Sequence, residues 1–192
     1  MGLNMVDADM TRRHFLKAGS ALVTGVFLSP ALGLASDFWS QPRHLWLRRQ
    51  TARNTVEEFK GVYFADGKII WDEYLKICLL LRDVRQGEAV QMSPVLLDIL
   101  CGMQGVLGAN GIDNSPLITH SGYRSGRTNQ LTEGAARDSL HTMGRAWDGR
   151  TLGAPTPQLA QTAKYLRGGG VGVYVERGFI HVDDGRLRSW RG

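Results

Sequence analysis

The sequence lacks the short motifs that mark several large groups of enzymes. It has no HExxH pair of histidines, which excludes the common helical arrangement of zinc proteases. It has no GxSxG elbow and no glycine-rich phosphate loop, so serine-hydrolase and P-loop chemistry have no support. Internal repeats and low-complexity tracts are also absent, so a repeat architecture is not expected.

Cysteine is scarce. The 192 residues include two cysteines, Cys78 and Cys101, and no CxxC pair. Both cysteines lie in apolar patterns of helical spacing. A disulfide between them requires an oxidising compartment, and two buried thiols are the equal alternative. The sequence assigns no chemistry to either residue.

A long unbroken apolar run is missing as well. The mildly apolar stretch from Ala18 to Leu34 is interrupted by glycine, serine and proline, which makes it too weak for a stable membrane span. Thr11 to Lys17 instead matches the twin-arginine export signal at every specified position, and Gly33 to Ala35 offers a cleavage site. We therefore predict a signal peptide at residues 1–35, one domain at 36–192 and a periplasmic location. A basic amphipathic helix in a cytosolic protein is the alternative.

The chain has a formal net charge of +5. An excess of basic over acidic residues can indicate nucleic-acid binding. An exported protein rarely meets nucleic acid, so an anionic cell-wall polymer or membrane surface is the expected counterpart. The oligomeric state cannot be predicted from the sequence.

Helical patterns occupy much of the first half of the predicted domain. We expect one helix capped by Asp72 and ended by Gln86-Gly87. A second helix begins at Ser93-Pro94, an N-cap followed by proline. A third begins at Thr156-Pro157 and stops at the glycines from 168 to 170.

Strand patterns surround these helices without a regular βαβ alternation. Asp66-Gly67 is a tight turn between two apolar runs, which predicts a hairpin. Val171 to Tyr174 and Gly178 to Asp183 are predicted to pair as strands. We therefore expect an α+β domain with a mainly antiparallel sheet.

The stretch SLHTMGRAWDGR, residues 139–150, contains the first candidate metal ligands, His141 and Asp148. His181 is a third candidate, and strand alternation places it on one face with Phe179 and Asp183. Three ligands of this kind with one position left for water are typical of catalytic zinc. From spacing alone, a surface loop histidine at His141 and a hydrogen-bonded strand histidine at His181 remain an equal alternative.

The same stretch resembles a known family. Ser139, His141, Gly144, Ala146 and Asp148 match the SxHxxGxAxD motif of the LAS metallopeptidases, which include zinc D-Ala-D-Ala carboxypeptidases and VanX-like dipeptidases. The SGYRS run at 121–125 and the chain from 169 to 190 are similar to the YcbK-like murein endopeptidases, which carry a twin-arginine signal. The resemblance extends from residue 45 to residue 190.

This resemblance implies a hedgehog/DD-peptidase-like fold, with helices packed on one side of the sheet, and a zinc cofactor. It assigns His141, Asp148 and His181 as the zinc ligands, and peptidoglycan peptides as the substrate. Arg124 is implied as a catalytic and substrate-binding residue, since a guanidinium can hydrogen-bond a developing oxyanion twice. Ser139 is implied as a substrate contact. A structural salt bridge at Arg124 and a turn-capping hydroxyl at Ser139 are the alternatives.

One position departs from the family pattern. Many LAS enzymes place the catalytic acid three residues before the last histidine ligand, where this chain has Gly178. We expect Asp183 to replace it as the proton acceptor, with Glu176 as the weaker candidate. Asp184 is expected on the opposite face from His181, and His120 is expected to have no metal role.

The resemblance favours cleavage of peptidoglycan cross-links by a zinc-activated water. A D,D-carboxypeptidase or dipeptidase of the same fold is one alternative function. The other is a zinc-containing module that binds the cell wall without catalysis.

Overall fold

Alternating apolar residues form the first strand of the sheet. The computed structural model describes residues 36–51, 55–112 and 115–192, so the predicted signal peptide lies outside the described residues. A short helix α1 (Ser36–Ser40) leads into strand β1 (Arg43–Gln50), which pairs antiparallel with β2 (Val56–Ala65). Leu45 and Leu47 of β1 are buried.

The predicted hairpin is confirmed. Strand β2 pairs with the short strand β3 (Lys68–Ile69) across Asp66 and Gly67. Both turn residues have a positive φ, of 52° and 70°, which the tight connection requires.

Helix α2 (Trp71–Leu80) differs from its predicted ends. Asp72 lies inside the first turn rather than at the cap, so that prediction is wrong, and the helix ends before Gln86-Gly87. The early end has a physical cause. The buried guanidinium of Arg49 donates hydrogen bonds to the carbonyls of Leu80 at 2.7 Å and Arg82 at 2.8 Å, which satisfies the backbone where the helix stops.

Helix α3 (Pro94–Ala109) follows its pattern closely. It begins as predicted, because the Ser93 hydroxyl accepts a hydrogen bond from the Leu96 amide at 3.4 Å. The shorter helices are α4 (Gly126–Gln130), a 3-10 helix (Leu140–Met143) and α5 (Thr156–Leu166). Within the described ranges, no helix is both long enough and apolar enough to cross a membrane.

The sheet has eight strands in the order β3-β2-β1-β4-β5-β7-β6-β8. Its later strands are β4 (Leu117–Ser121), β5 (Ala146–Thr151), β6 (Gly170–Tyr174), β7 (Phe179–Asp183) and β8 (Arg188–Arg191). The pairs β1–β4 and β6–β8 are parallel, and the other neighbours are antiparallel. This confirms the predicted α+β class with a mainly antiparallel sheet.

The two faces of the sheet have different roles. One face packs against α2, α3 and α5, and its buried side chains include Leu47, Leu117, Trp147, Val171, Ile180 and Val182. Strand alternation directs Asp148 and His181 to the opposite face. The three longer helices therefore cover one side, as the resemblance implies, and leave the other side free for a site.

Both cysteines belong to this core. Cys78 and Cys101 are buried and free. Burial raises the pKa of the Cys78 thiol to about 11 and that of Cys101 to about 12. The structure therefore has two inert buried thiols, one of the two arrangements that the sequence left open.

Gly149 of β5 lies at a position where the packed sheet leaves no room for a side chain. A Cβ at Gly149 would overlap the Trp147 ring and the Ile118 carbonyl oxygen. We expect Gly149→Ala to lower the free energy of unfolding by about 1–3 kcal/mol, as overpacked core substitutions do. Gly108→Ala, where an added Cβ meets no atom within 4 Å, is the matched control and should be neutral or slightly stabilising. Urea unfolding of both variants measures the difference, and equal midpoints would contradict it.

Candidate metal centre

Three side chains converge on the helix-free face of the sheet. Asp148 of β5 and His181 of β7 are direct partners in the strand register, and His141 approaches them from the 3-10 helix. Asp148 Oδ1 lies 2.8 Å from His181 Nδ1 and 3.1 Å from His141 Nε2. The two histidine nitrogens are 3.2 Å apart. Among the described residues, this is the one cluster that could hold a metal ion.

The motif residues around His141 form the turn that delivers it. The Ser139 hydroxyl accepts a hydrogen bond from the His141 amide at 3.4 Å and caps the 3-10 helix. Gly144 then reverses the chain with a φ of 66°, and a Cβ there would lie 2.8 Å from the Gln91 carbonyl oxygen. The His141 side chain is fully buried at the end of this turn.

Hydrogen bonds at the far nitrogens set the tautomers of both rings. His141 Nδ1 lies 2.6 Å from the Gly122 carbonyl oxygen, and His181 Nε2 lies 2.8 Å from Asp183 Oδ2. Both partners only accept, so these nitrogens carry the protons in the neutral rings. The opposite nitrogens, His141 Nε2 and His181 Nδ1, then present lone pairs to Asp148. Three hydrogen-bond acceptors therefore face one another with no proton between them. A bound cation would stabilise this arrangement.

The spacing of the three atoms fits zinc. Tetrahedral zinc with bonds of about 2.0–2.2 Å separates its ligand atoms by roughly 3.3 Å. The separations here, 2.8 to 3.2 Å, are slightly shorter. Burial would raise the pKa of Asp148, but positive charge on the two neighbouring imidazole rings, when they are protonated, holds it well below its ordinary value, and a bound cation would act in the same direction. Asp148 is therefore a carboxylate at neutral pH, as a ligand must be.

Asp183 is fully buried, and both of its oxygens are occupied. Arg188 donates to Oδ1 at 2.9 Å and to Oδ2 at 2.6 Å. The backbone amides of Gly170 and Gly185 donate to Oδ1 at 3.2 and 2.9 Å. Because Asp183 contacts Nε2 of His181 while Nδ1 faces the other ligands, the carboxylate lies on the far side of the ring from the candidate metal position.

Glycines of β6 allow the last strand to reach this centre. Strand β8 places Arg188 beside Gly170 and Trp190 beside Gly172. A Cβ at Gly170 would overlap the Arg188 guanidinium, and one at Gly172 would lie 2.6 Å from the Trp190 indole. The Trp190 ring thus packs against His181, with centroids 5.2 Å apart. Arg188 and Trp190 have no role predicted from the sequence, although a glycine run such as GGGVG is typical of a strand that another group approaches closely.

Arg124 and Ser139 lie together beside the ligands. Arg124 Nη2 is 3.4 Å from Ser139 Oγ, and the Arg124 amide donates to the His141 carbonyl at 3.1 Å. Among the described residues the buried Nε of Arg124 has no hydrogen-bond partner and its guanidinium forms no ion pair. Burial lowers the pKa of Arg124, and nearby Asp148 opposes that shift. The guanidinium therefore keeps donors for another molecule.

A buried carboxylate that the sequence did not point to, Asp83, holds the SGYRS run. Asp83 accepts hydrogen bonds from the Ser125 amide at 3.0 Å and the Ser125 hydroxyl at 2.8 Å. The Tyr123 amide donates to the Leu81 carbonyl at 2.7 Å, and a Cβ at Gly122 would overlap that same carbonyl. These contacts fix both Arg124 and the Gly122 carbonyl that orients His141.

The other candidates lie outside the ligand cluster. Asp184 accepts from Arg145 at 2.7 Å and from the Ser93 hydroxyl at the start of α3, on the helix side of the sheet. Glu176 is exposed in the turn between β6 and β7. His120 is exposed, with its ring 5.6 Å from that of Phe179.

Comparison with known proteins identifies the family of this site. The model of the family described as peptidoglycan L,D-endopeptidase MepK matches residues 39–190. The chain belongs to this peptidase family. It is 33% identical to the peptidoglycan L,D-endopeptidase MepK of Escherichia coli K12, over 95% of this chain and 98% of that protein. It is 32% identical to the probable peptidoglycan L,D-endopeptidase MepK of Haemophilus influenzae, over 96% and 97%. No solved structure matches. The family confirms the metallopeptidase resemblance seen in the sequence.

The converging lone pairs predict one bound metal ion per chain. We expect the purified domain to contain one equivalent of metal, and His141→Gln to lose it, because Gln cannot reproduce the buried imidazole donor. His120→Gln is the matched control and should keep the full equivalent. Elemental analysis after dialysis measures both. Equal metal contents in the two variants would contradict the assignment.

Proposed function

We propose that the protein is a periplasmic, zinc-dependent peptidase that hydrolyses peptide cross-links of peptidoglycan. The convergence of His141, Asp148 and His181 beside the free donors of Arg124 is the observation that carries this proposal. The names of the relatives support peptidoglycan as the substrate and an endopeptidase activity. Export by the twin-arginine route, with cleavage after Ala35, belongs to the same proposal.

Each residue has a separate task in this proposal. His141, Asp148 and His181 would hold zinc, which would polarise the scissile carbonyl and lower the pKa of the attacking water. Arg124 hydrogen-bonds the oxygen of the scissile carbonyl as negative charge develops on it. Ser139 both caps the turn of His141 and lies within reach of the substrate that Arg124 holds.

The contacts of Asp183 favour a positioning role. Its oxygens are taken by His181, Arg188 and backbone amides, and they lie behind the His181 ring. A carboxylate in that place fixes the tautomer and orientation of a metal-ligating histidine. The proton-accepting role expected for Asp183 stays a prediction, and exposed Glu176 is the other carboxylate to be compared with it.

Incubation of the purified domain with peptidoglycan sacculi tests the activity. We expect cross-linked peptides to be released as monomers, and a chelator to stop the release until zinc is restored. Mass analysis identifies the cleaved bond. Trimming of terminal residues without loss of cross-links would instead indicate a carboxypeptidase. Binding to sacculi without any cleavage would indicate a cell-wall-binding module.

Asp183→Asn separates the two roles of that residue. If Asp183 orients His181, the variant should bind zinc about 10- to 100-fold more weakly, as other losses of such partners do. Competition with a chromophoric chelator measures this affinity. Normal zinc affinity with strongly reduced turnover would support the proton-accepting role instead.

Glu176→Gln is the parallel variant. Its side chain is exposed and lies outside the ligand cluster, so zinc affinity should not change. If turnover falls by about a hundredfold or more in this variant alone, Glu176 is the proton acceptor.

A further inference from the structure

A tyrosine lies on the same face of the sheet as the candidate ligands. Tyr174 is the last residue of β6 and pairs with Phe179, while Gly172 pairs with His181. Because side chains alternate along a strand, Tyr174 and His181 project to the same side. No step of the proposed mechanism uses this tyrosine.

Neighbouring aromatic groups fix the position of the Tyr174 phenol. The indole Nε1–H of Trp190 donates to Tyr174 Oη at 3.0 Å. The ring of Phe179 stacks on the Tyr174 ring, with centroids 4.7 Å apart and an interplanar angle of 15°. Trp190 itself packs on His181 and lies over Gly172. The Tyr174 phenol is therefore fixed in position beside the candidate metal centre. Its side chain would lose little conformational entropy when a ligand binds.

The phenol proton of Tyr174 is left for another molecule. An indole N–H only donates, so the Tyr174 oxygen accepts in this contact and its own O–H remains a donor. Within the described ranges, no protein group accepts from that O–H. Tyr174 therefore presents a free donor on the sheet face that carries the candidate ligands.

We propose that Tyr174 is a further substrate-binding residue, whose phenol donates a hydrogen bond to a carbonyl or carboxylate oxygen of the bound peptide. Trp190 is the positioning residue that holds this phenol. The assignment rests on the proposed peptidase function for the identity of the ligand. It adds a contact on the β6 side of the centre, whereas Arg124 and Ser139 approach from the SGYRS side.

Tyr174→Phe tests the contact because it removes one oxygen and keeps the ring. We expect the KM for a purified cross-linked muropeptide dimer to rise about three- to tenfold with turnover near that of the wild type, as for loss of one binding hydrogen bond. Titration calorimetry of chelator-treated protein with the same dimer should show an equal loss of affinity. Zinc content and melting temperature should not change.

Two further variants serve as controls. Tyr165→Phe removes the hydroxyl of an exposed tyrosine on α5 and should leave KM and affinity unchanged. Trp190→Phe should weaken dimer binding in the wild type, because it removes the N–H that holds the phenol. In the Tyr174→Phe background the same change should have no further effect on dimer binding by the chelator-treated protein.

The outcomes separate this proposal from the proposed function. Unchanged KM and affinity in Tyr174→Phe, a loss of zinc, or a fall in turnover alone would overturn the substrate-binding role. If the wild type cleaves no muropeptide, the proposed function fails. The calorimetric comparison of the chelator-treated proteins then still decides whether Tyr174 contacts the peptide.

Discussion

The site depends on the hydrogen bonds at the outer nitrogens of two histidines. The Gly122 carbonyl accepts a hydrogen bond from His141 Nδ1–H, and Asp183 accepts one from His181 Nε2–H. Without these two acceptors, either ring could turn or change tautomer, and a proton would enter the space between the ligands. With them, two lone pairs and the Asp148 carboxylate point at one position. Groups that do not touch the metal therefore orient the ligands of the proposed centre.

The Gly122 acceptor depends on a position where only glycine fits, and the Asp183 acceptor depends on two glycines that let β8 pack closely on β6. Gly122 approaches the Leu81 carbonyl so closely that a Cβ would overlap it, and its own carbonyl then reaches His141. Gly170 and Gly172 let Arg188 and Trp190 lie across β6 and hold Asp183 and His181. The cost of glycine in a strand is its conformational freedom in the unfolded chain. Here that cost is offset by the contacts that only a bare backbone permits.

The convergence of His141, Asp148 and His181 could be predicted because strand alternation and one local motif bring these residues together. Alternation placed His181 and Asp183 on one face, and the spacing from Ser139 to Asp148 describes a turn entering a strand. The sequence could not indicate which His181 nitrogen faces the ligands, so it placed Asp183 beside the metal rather than behind the ring. It also could not show that Arg49 ends α2 early, because that contact joins residues far apart in the chain.

Strand β8 joins two parts of the proposed mechanism. Its Arg188 holds Asp183, and through it the orientation of His181, while its Trp190 packs on His181 and holds the Tyr174 phenol. Metal geometry and substrate binding therefore share one short strand at the edge of the sheet. Strand β8 thus contributes to the site by holding other side chains in place, whereas the motif residues supply the candidate metal-ligating groups.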